Sequence, residues 1–475
     1  MKNVITLLSV VALLAVGGIC RADGSADLAG ENAELKQRVG KLEKELDELK
    51  KIVMQQTKES QAAKTESKPA VAPAAEQKAS VVPQLSDADM QKILAMVQKD
   101  ADKKKPVWSD LDIQLYGIIR LDAAYDSAHI EPGNYAKWVR PEKGNKNDNQ
   151  FNMTANQTRL GMRINGPSDD KMKISGLVEI DFYNSGLTGN EENKATIKMR
   201  HAYLKLEWPE DRFEILAGQT WDVISPLNPS TLNDTVNWYT GNIGYRRPQL
   251  RLTKTFGLTS DVDLKLEGAL TRNIGRKNTT FSSADQIDSG QDSGSPGIQG
   301  RTSLAFPFFG PKPTTIGFSG HWAPEEYDTS STTGAHRDFE SRSLNLDLTQ
   351  PINKWLTIQG EAFSGQDLDA YLGGIGQGVN LTRLEEIEAK GGWIAANLGP
   401  WDKWRFTVGT GVDDPADDDL NAGDRSLNRS VFGNVIYSIN KNAEIGLELS
   451  QWHTEYKGQD DADSLRAQTA FMYKF

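Results

Sequence analysis

From residue 111 to residue 475, apolar and polar side chains alternate with a period of two. In residues 111–125, Ile113, Leu115 and Ile119 fall on one face of an extended chain, while Asp112 and Gln114 fall on the other. This is the period of a β-strand, whose successive side chains point to opposite faces of a sheet. The same pattern recurs through the rest of the chain.

Sixteen segments alternate in this way, and each is long enough for a tilted membrane-spanning strand of about 9–11 residues. They are residues 111–125, 156–166, 171–183, 196–207, 211–220, 246–256, 261–273, 297–306, 314–322, 340–349, 354–365, 385–398, 402–413, 426–439, 442–456 and 463–475. Two of them, 196–207 and 211–220, have ambiguous parity, which indicates β-bulges.

The connections between these segments alternate between short and long. Residues 209–210 and 440–441 are short connections, whereas 126–155 and 221–245 are long ones. A β-sandwich has no reason to alternate its loop lengths so strictly, but an outer-membrane barrel has short turns at one end and long loops at the other. The sequence therefore predicts an all-β fold, a 16-stranded antiparallel transmembrane β-barrel over residues 107–475.

Aromatic residues are placed as such a barrel requires. Tryptophans lie near both kinds of connection: near short ones Trp208, Trp355, Trp401 and Trp404, and near long ones Trp221, Trp322 and Trp452. This distribution predicts two aromatic girdles, one at each membrane interface.

The last predicted strand carries aromatic side chains at alternate positions. Phe471, Tyr473 and Phe475 share one of its faces. This pattern resembles the signal that the outer-membrane assembly machinery recognises, so we expect that machinery as a partner.

The N-terminal segment has the pattern of a secretory signal peptide. Lys2 precedes an apolar run over residues 4–19, and Cys20 and Ala22 place small side chains before a cut that follows Ala22. We predict a signal peptide over residues 1–22. A lipoprotein signal at Cys20 is the alternative, but Ile19 is bulky where that cleavage requires a small residue.

Residues 28–56 carry a seven-residue repeat. One heptad position holds Leu28, Leu35, Leu42 and Leu49, and the other holds Asn32, Val39, Leu46 and Val53. This pattern predicts an α-helical coiled coil, and valine with leucine favours two strands. We predict that residues 57–106 form a linker that contains a short amphipathic helix at 86–100.

Composition and motifs exclude several classes of protein. A formal net charge of −11 lacks the basic footprint of a nucleic-acid-binding protein. The five histidines show no metal-ligand spacing, and no Gly-x-Ser-x-Gly motif occurs. The acidic runs at 413–424 and 460–463 lack the spacing of a calcium loop. We therefore expect no enzyme activity, no cofactor, no metal and no nucleic-acid partner.

Several short motifs accompany this order of segments. They are Leu115-Tyr116-Gly117, Met199-Arg200-His201-Ala202-Tyr203-Leu204, Gly218-Gln219-Thr220-Trp221 and Gly244-Tyr245-Arg246-Arg247-Pro248-Gln249. With the heptads and the barrel pattern, they resemble the general bacterial porins and most closely the DcaP-type trimeric porins. The resemblance implies a homotrimer of water-filled channels in the outer membrane, surrounded by lipid and lipopolysaccharide, with the coiled coil in the periplasm. Four heptads beside three barrels need not set the oligomeric state, so we expect the trimer.

Cationic side chains recur on the polar faces of the predicted strands, which must face the lumen because lipid does not tolerate them at mid-depth. They are Arg120, Arg159, Arg163, Lys173, Arg200, Arg247, Arg251 and Arg301. In porins the loop after the fifth strand folds inward, and residues 221–245 are long enough to do so. Arginines facing such a constriction bind carboxylate and phosphate groups in bidentate fashion. We therefore predict diffusion of small hydrophilic anions, such as dicarboxylates or phosphate-bearing metabolites.

Acidic side chains on the same faces support another interpretation of the arginines. The acids assigned to the inward faces are Asp112, Asp122, Glu179, Asp181, Glu267, Asp347, Glu361 and Glu388. Pairing across strands would neutralise many of the cations.

A structural tether is the alternative function for the whole chain, with the coiled coil engaging the cell wall and the barrel as anchor. Deleting residues 28–56 would distinguish the tether function from the porin function. Loss of envelope attachment with intact solute uptake favours the tether, and loss of the oligomer alone favours the porin.

Overall fold

The computed structural model describes residues 111–142, 148–167, 169, 171–183, 195–275, 287–329, 333 and 335–475. All of them belong to the unit that begins at residue 98. The predicted signal peptide (1–22), coiled coil (28–56) and linker with its short helix (57–106) lie outside the described residues. Within the described ranges, no helix is both long and apolar enough to cross a membrane.

Sixteen antiparallel strands form one closed sheet, in which each strand pairs with the next along the chain and the last pairs with the first. The strands are β1 (Asp112–Asp126), β2 (Gln150–Thr154 and Arg159–Asn165), β3 (Lys173–Asp181), β4 (Lys198–Trp208), β5 (Phe213–Trp221), β6 (Arg246–Gly257), β7 (Asp263–Thr271), β8 (Gly297–Phe306), β9 (Thr314–Asp328), β10 (His336–Pro351), β11 (Leu356–Gln366), β12 (Glu388–Trp401), β13 (Trp404–Pro415), β14 (Arg425–Ser438), β15 (Ala443–Tyr456) and β16 (Ala462–Lys474). The two pieces of β2 count as one strand, because both pair with β1.

Each predicted segment overlaps one of these strands, so the predicted barrel is confirmed. The largest difference is the hairpin of β9 and β10, where the predicted loop 323–339 shrinks to residues 329–335. The strands continue because Tyr327 packs edge to face on Phe339, with ring centroids 5.4 Å apart. Both rings are buried inside the barrel end. The outer face of these strand extensions carries charged residues such as Glu326 and Asp338, so it lacks the apolar side chains on which the prediction relied.

The bulge predicted in residues 196–207 is present in β4. The register of β3 against β4 shifts between Glu179 and Ile180, so that Arg200 is the extra residue. The bulge lets the consecutive side chains of Arg200 and His201 both be buried. The bulge predicted in residues 211–220 is wrong, since β5 pairs continuously with both of its neighbours.

The outer wall of the barrel is apolar and the inner wall is polar. Leu115, Leu344 and Val431 are exposed on the outside, where they would contact lipid. Glu448 and Gln468 are buried on the inner wall, beneath loops that enter the barrel. This division explains the mean hydropathy of −0.53 in a membrane barrel.

The predicted aromatic girdles are only partly correct. Trp322, Trp355 and Trp401 are exposed. Trp452, however, is 2% exposed and packs inside the barrel on residues that follow β1. The ring centroid of Trp221, at the end of β5, lies 5.9 Å from that of Trp238, which belongs to a loop that enters the lumen. The prediction is wrong for these two tryptophans because their partners are inward-folded loops that the sequence pattern does not show.

Candidate functional site: the lumen and its loops

Residues 222–245, called loop 3, connect β5 to β6 and are hydrogen-bonded to the inner wall. The carbonyl oxygen of Leu232 accepts from Arg120 Nη2 at 2.6 Å and from Gln468 Nε2 at 3.1 Å. The Leu232 amide donates to Glu448 Oε2 at 2.6 Å. Loop 3 is therefore anchored to β1, β15 and β16.

Further contacts fix loop 3 along the same wall. The Leu227 amide donates to Glu361 Oε1 at 2.7 Å, and Asn434 Nδ2 donates to the Ser230 carbonyl oxygen at 2.6 Å. Gly241 has a φ of +107°, and any side chain there would overlap the backbone of β12. The inward folding predicted for this loop is confirmed, and it covers β11–β16.

Two other loops enter the barrel beside loop 3. Loop 1 (residues 127–149, described at 127–142 and 148–149) places Val139 against Trp452, and the Tyr456 hydroxyl donates to the Val139 carbonyl oxygen at 2.5 Å. Loop 6 (residues 367–387) places the buried Tyr371 ring in a cluster with Ile224 of loop 3. The described parts of the three loops occupy the lumen next to β6, β9 and β11–β16.

The inner wall of β2–β5 keeps polar side chains in contact with solvent. The Arg159 side chain is 34% exposed, and Lys205, Glu207 and Glu214 are also partly exposed. Because loop 3 is held against the opposite wall, a passage through the barrel would run along β2–β5.

Half of the eight predicted cations form short ion pairs with inward carboxylates. Arg120 pairs with Asp122 at 2.7 Å, Arg200 with Glu179 and Asp181 at 2.7 Å each, Arg247 with Asp222 at 2.7 Å, and Arg301 with Asp347 at 2.8 Å and Glu267 at 2.9 Å. Removing one partner of such a buried pair leaves a charge uncompensated, which costs about 3–5 kcal/mol. These four arginines stabilise the wall and its loops.

The other four predicted cations form weaker ion pairs or none with described residues. Arg159 Nε lies 3.4 Å from Glu179 Oε1. Arg163 stacks over the ring of Tyr116 at 4.0 Å, and Lys173 is exposed at the start of β3. Within the described ranges, no carboxylate lies within 4 Å of Arg163 or Lys173.

Arg251 uses its donors on neutral acceptors. Its Nε donates to Gln249 Oε1 at 2.9 Å and its Nη2 donates to the carbonyl oxygen of Trp221. It forms no ion pair with a described residue. Pairing across strands therefore explains some of the predicted cations and not others.

One acid assigned to the inward faces is placed differently by the structure. Glu388 is exposed on the outer face at the start of β12, whereas Ala389 and Trp393 are buried on the inner face. The segment predicted as 385–398 starts irregularly, with a two-residue strand at 385–386 before β12. Alternation counted from residue 385 therefore assigns Glu388 to the wrong face of the sheet.

The lumen also contains cations and aromatic rings that the sequence pattern missed. Arg425 stacks over Trp138 of loop 1 at 4.1 Å, and Lys137 Nζ lies 5.4 Å from the Tyr239 ring of loop 3. Burial lowers the pKa of the Lys137 ammonium group, and Glu131 partly offsets this effect. Aromatic residues within these long loops could have indicated that the loops pack inside the barrel, because loops that run over a protein surface are mostly polar.

Loop 3 places a negative charge opposite the arginines of β2 and β4. Asp234 is half-buried and interacts electrostatically with Arg159 and Arg200. Asp234 therefore faces Arg159 and Arg200 across this part of the lumen, so charges of opposite sign would act on a solute between them.

A closed barrel of sixteen strands, apolar outside and polar inside, with a loop folded onto its inner wall, is a porin-type β-barrel. The chain resembles the DcaP outer membrane protein family, whose model matches residues 83–280. The resemblance predicted from the short motifs is therefore confirmed.

Comparison with one solved structure shows the same fold. The outer membrane channel DcaP of Acinetobacter baumannii is 18% identical with a TM-score of 0.61, covering 77% of this chain and 98% of that one. An anion-selective porin from Comamonas acidovorans is 12% identical with a TM-score of 0.48, covering 77% of this chain and 100% of that one. No curated protein sequence matches this chain.

Proposed function

We propose that this chain is an outer-membrane porin, a water-filled channel for passive diffusion of small hydrophilic solutes. The observation that carries the proposal is the placement of loop 3, which is bonded to the wall of β11–β16 and leaves solvent-exposed polar residues along β2–β5. A packed barrel would have no use for exposed charges inside it. The match to an outer-membrane protein family supports the location.

The solutes that we propose are anions of the dicarboxylate or phosphate type. Arg163 and Lys173 supply positive charge that no described carboxylate neutralises within 4 Å, and Arg159 is only loosely paired. At about 4 Å in water, a unit charge contributes about 1 kcal/mol to attraction of an anion, and more where loops displace water. The homotrimer, the lipopolysaccharide contacts and the assembly machinery remain part of the proposal.

The proposal is tested by the reversal potential across a planar bilayer under a potassium chloride gradient. We expect the wild-type channel to prefer chloride, and Arg163→Gln to reduce this preference because it removes an unpaired charge from the lumen. Arg247 is a poor choice for this test, because its loss would leave the buried Asp222 unpaired and disturb loop 3.

Arg212→Gln is the matched control. Arg212 lies in the short turn between β4 and β5, is exposed and pairs with Asp263, so its loss changes the net charge equally but outside the passage. A wild-type channel that prefers potassium, or equal effects of the two substitutions, would contradict the anion preference. Absence of any conductance would contradict the porin itself.

A further inference from the structure

Two groups of metal-ligating side chains lie on hairpins of the barrel. His453, Glu455 and Asp461 form one at the end of β15 and the start of β16, and Glu326, His336 and Asp338 form the other on β9 and β10. In each group, one ligand atom of every residue lies within 4.8 Å of the other two. These are the only such groups in the part of the chain that the structure describes, and neither is in the lumen.

The first group faces outward. Trp452 and Thr454 are buried on the inner face of β15, so His453 and Glu455 point to the outside. Leu465, two residues beyond Asp463 on the same face of β16, is exposed as part of the apolar outer wall. The group therefore lies at the edge of the apolar band, at the end of the barrel that carries the long loops.

The imidazole of His453 is already held in the orientation that a ligand needs. Its Nδ1 lies 2.9 Å from Asp463 Oδ1, and its Nε2 lies 3.3 Å from Glu455 Oε1. A carboxylate that accepts the proton of Nδ1 leaves the lone pair of Nε2 free for a metal, which is the usual arrangement of zinc-bound histidines. The side chain of His453 is only 13% exposed.

The second group is looser, although its composition is the same. His336 is 53% exposed, and its Nδ1 lies 3.8 Å from Glu326 Oε1. No described carboxylate is hydrogen-bonded to its ring. This difference makes the second group an internal comparison for the first.

We propose that His453, Glu455 and Asp461 bind a divalent transition-metal ion of the zinc type, with Asp463 as the positioning residue for His453. One imidazole and two carboxylates are ligands that Zn²⁺ accepts, and such a set leaves a fourth position open. Three carboxylates outweigh the single positive charge of Arg429, which lies opposite His453 on β14. The ion would join β15 to β16 on the outside of the barrel.

The test uses the mature full-length protein from outer membranes, without a polyhistidine tag, after treatment with a chelator. Zinc alone is titrated in competition with a chromophoric zinc indicator. We expect one site per chain, with affinity reduced at least about tenfold in His453→Ala, since even the loss of an outer-shell partner costs 10–100-fold. Asp463→Asn, which keeps the side-chain shape, should weaken binding while leaving the cobalt-bound form with an imidazole-type visible spectrum.

His336→Ala is the matched control and should bind zinc as the wild type does. Equal binding by His453→Ala and the wild type, or loss of binding in His336→Ala alone, would overturn the proposal. Heat-modifiable electrophoretic mobility confirms that each variant is folded. Because the site lies outside the lumen, bilayer conductance of His453→Ala should be unchanged, so the result is independent of the proposed channel function.

Discussion

Tyr116 shows how one side chain on the inner wall organises its neighbours. Its ring lies against Gly161, directly opposite on β2, and its hydroxyl donates to Glu179 Oε2 at 2.8 Å. The guanidinium of Arg163 lies 4.0 Å from the centre of the same ring, and Glu179 also accepts from Arg200. The absence of a side chain at Gly161 therefore determines where two of the lumen's charged groups lie.

Replacing Gly161 by alanine should displace this ring. The added Cβ would overlap Tyr116, so the ring must move and its hydrogen bond to Glu179 must lengthen. Overpacking of this kind costs about 1–3 kcal/mol. We expect Gly161→Ala to lower the temperature at which the folded, fast-migrating electrophoretic form disappears.

Gly268→Ala is the control for this substitution. Gly268 also lies within a strand, β7, but nothing lies within 4 Å of an added Cβ there. Both changes reduce the freedom of the unfolded chain equally. Equal thermal stability of the two variants would show that the contact between Tyr116 and Gly161 does not contribute to the stability of the barrel.

At the scale of elements, one aromatic side chain packs loop 6 against two strands of the inner wall. Tyr371 is fully buried, its ring centroid is 3.8 Å from that of His321 on β9, and Arg247 Cζ lies 3.8 Å from its ring. Arg247 also donates to the Ala370 carbonyl oxygen at 3.1 Å. These contacts connect loop 6 to β6 and β9, which lie beyond its own strands β11 and β12 in the sheet order.

Truncating this side chain should loosen loop 6 without unfolding the barrel. Loss of a large buried aromatic side chain costs about 3–5 kcal/mol. We expect Tyr371→Ala to increase single-channel conductance and current noise, because the loop no longer fills its part of the lumen. Tyr371→Phe keeps both ring contacts and should conduct as the wild type does. A conductance unchanged in Tyr371→Ala would show that loop 6 does not restrict the passage.

The strands could be predicted from the sequence because their signal is local, and the lumen could not because its contacts are distant. Alternation within residues 297–306 defines β8 by itself. Arg163 and Arg200, in contrast, lie on predicted inward faces alike, yet one stacks on a ring and the other is buried between two carboxylates. Arg120 contacts Leu232 from 112 positions away, a contact that no local period can reveal.

At the scale of the whole molecule, closure of the barrel depends on the pairing of β16 with β1. The amide of Phe475 donates to the Gly117 carbonyl oxygen at 3.1 Å, and the Gly117 amide donates to the Phe475 carbonyl oxygen at 3.1 Å. The ring of Phe475 lies over Gly117, where a Cβ would approach it to 2.6 Å. The predicted insertion signal thus coincides with the seam at which the sheet closes.

Replacing Phe475 by alanine tests whether this seam is also the assembly signal. The backbone pairing can persist in Phe475→Ala, so a loss of folded protein would come from the missing ring. Phe318→Ala on β9 is the matched control, because both phenylalanines face outward with nearly equal exposure, 47% and 48%. We expect Phe475→Ala to reduce the heat-modifiable protein in outer membranes several-fold more than Phe318→Ala does. Equal losses would mean that Phe475 contributes only apolar surface to the lipid-facing wall.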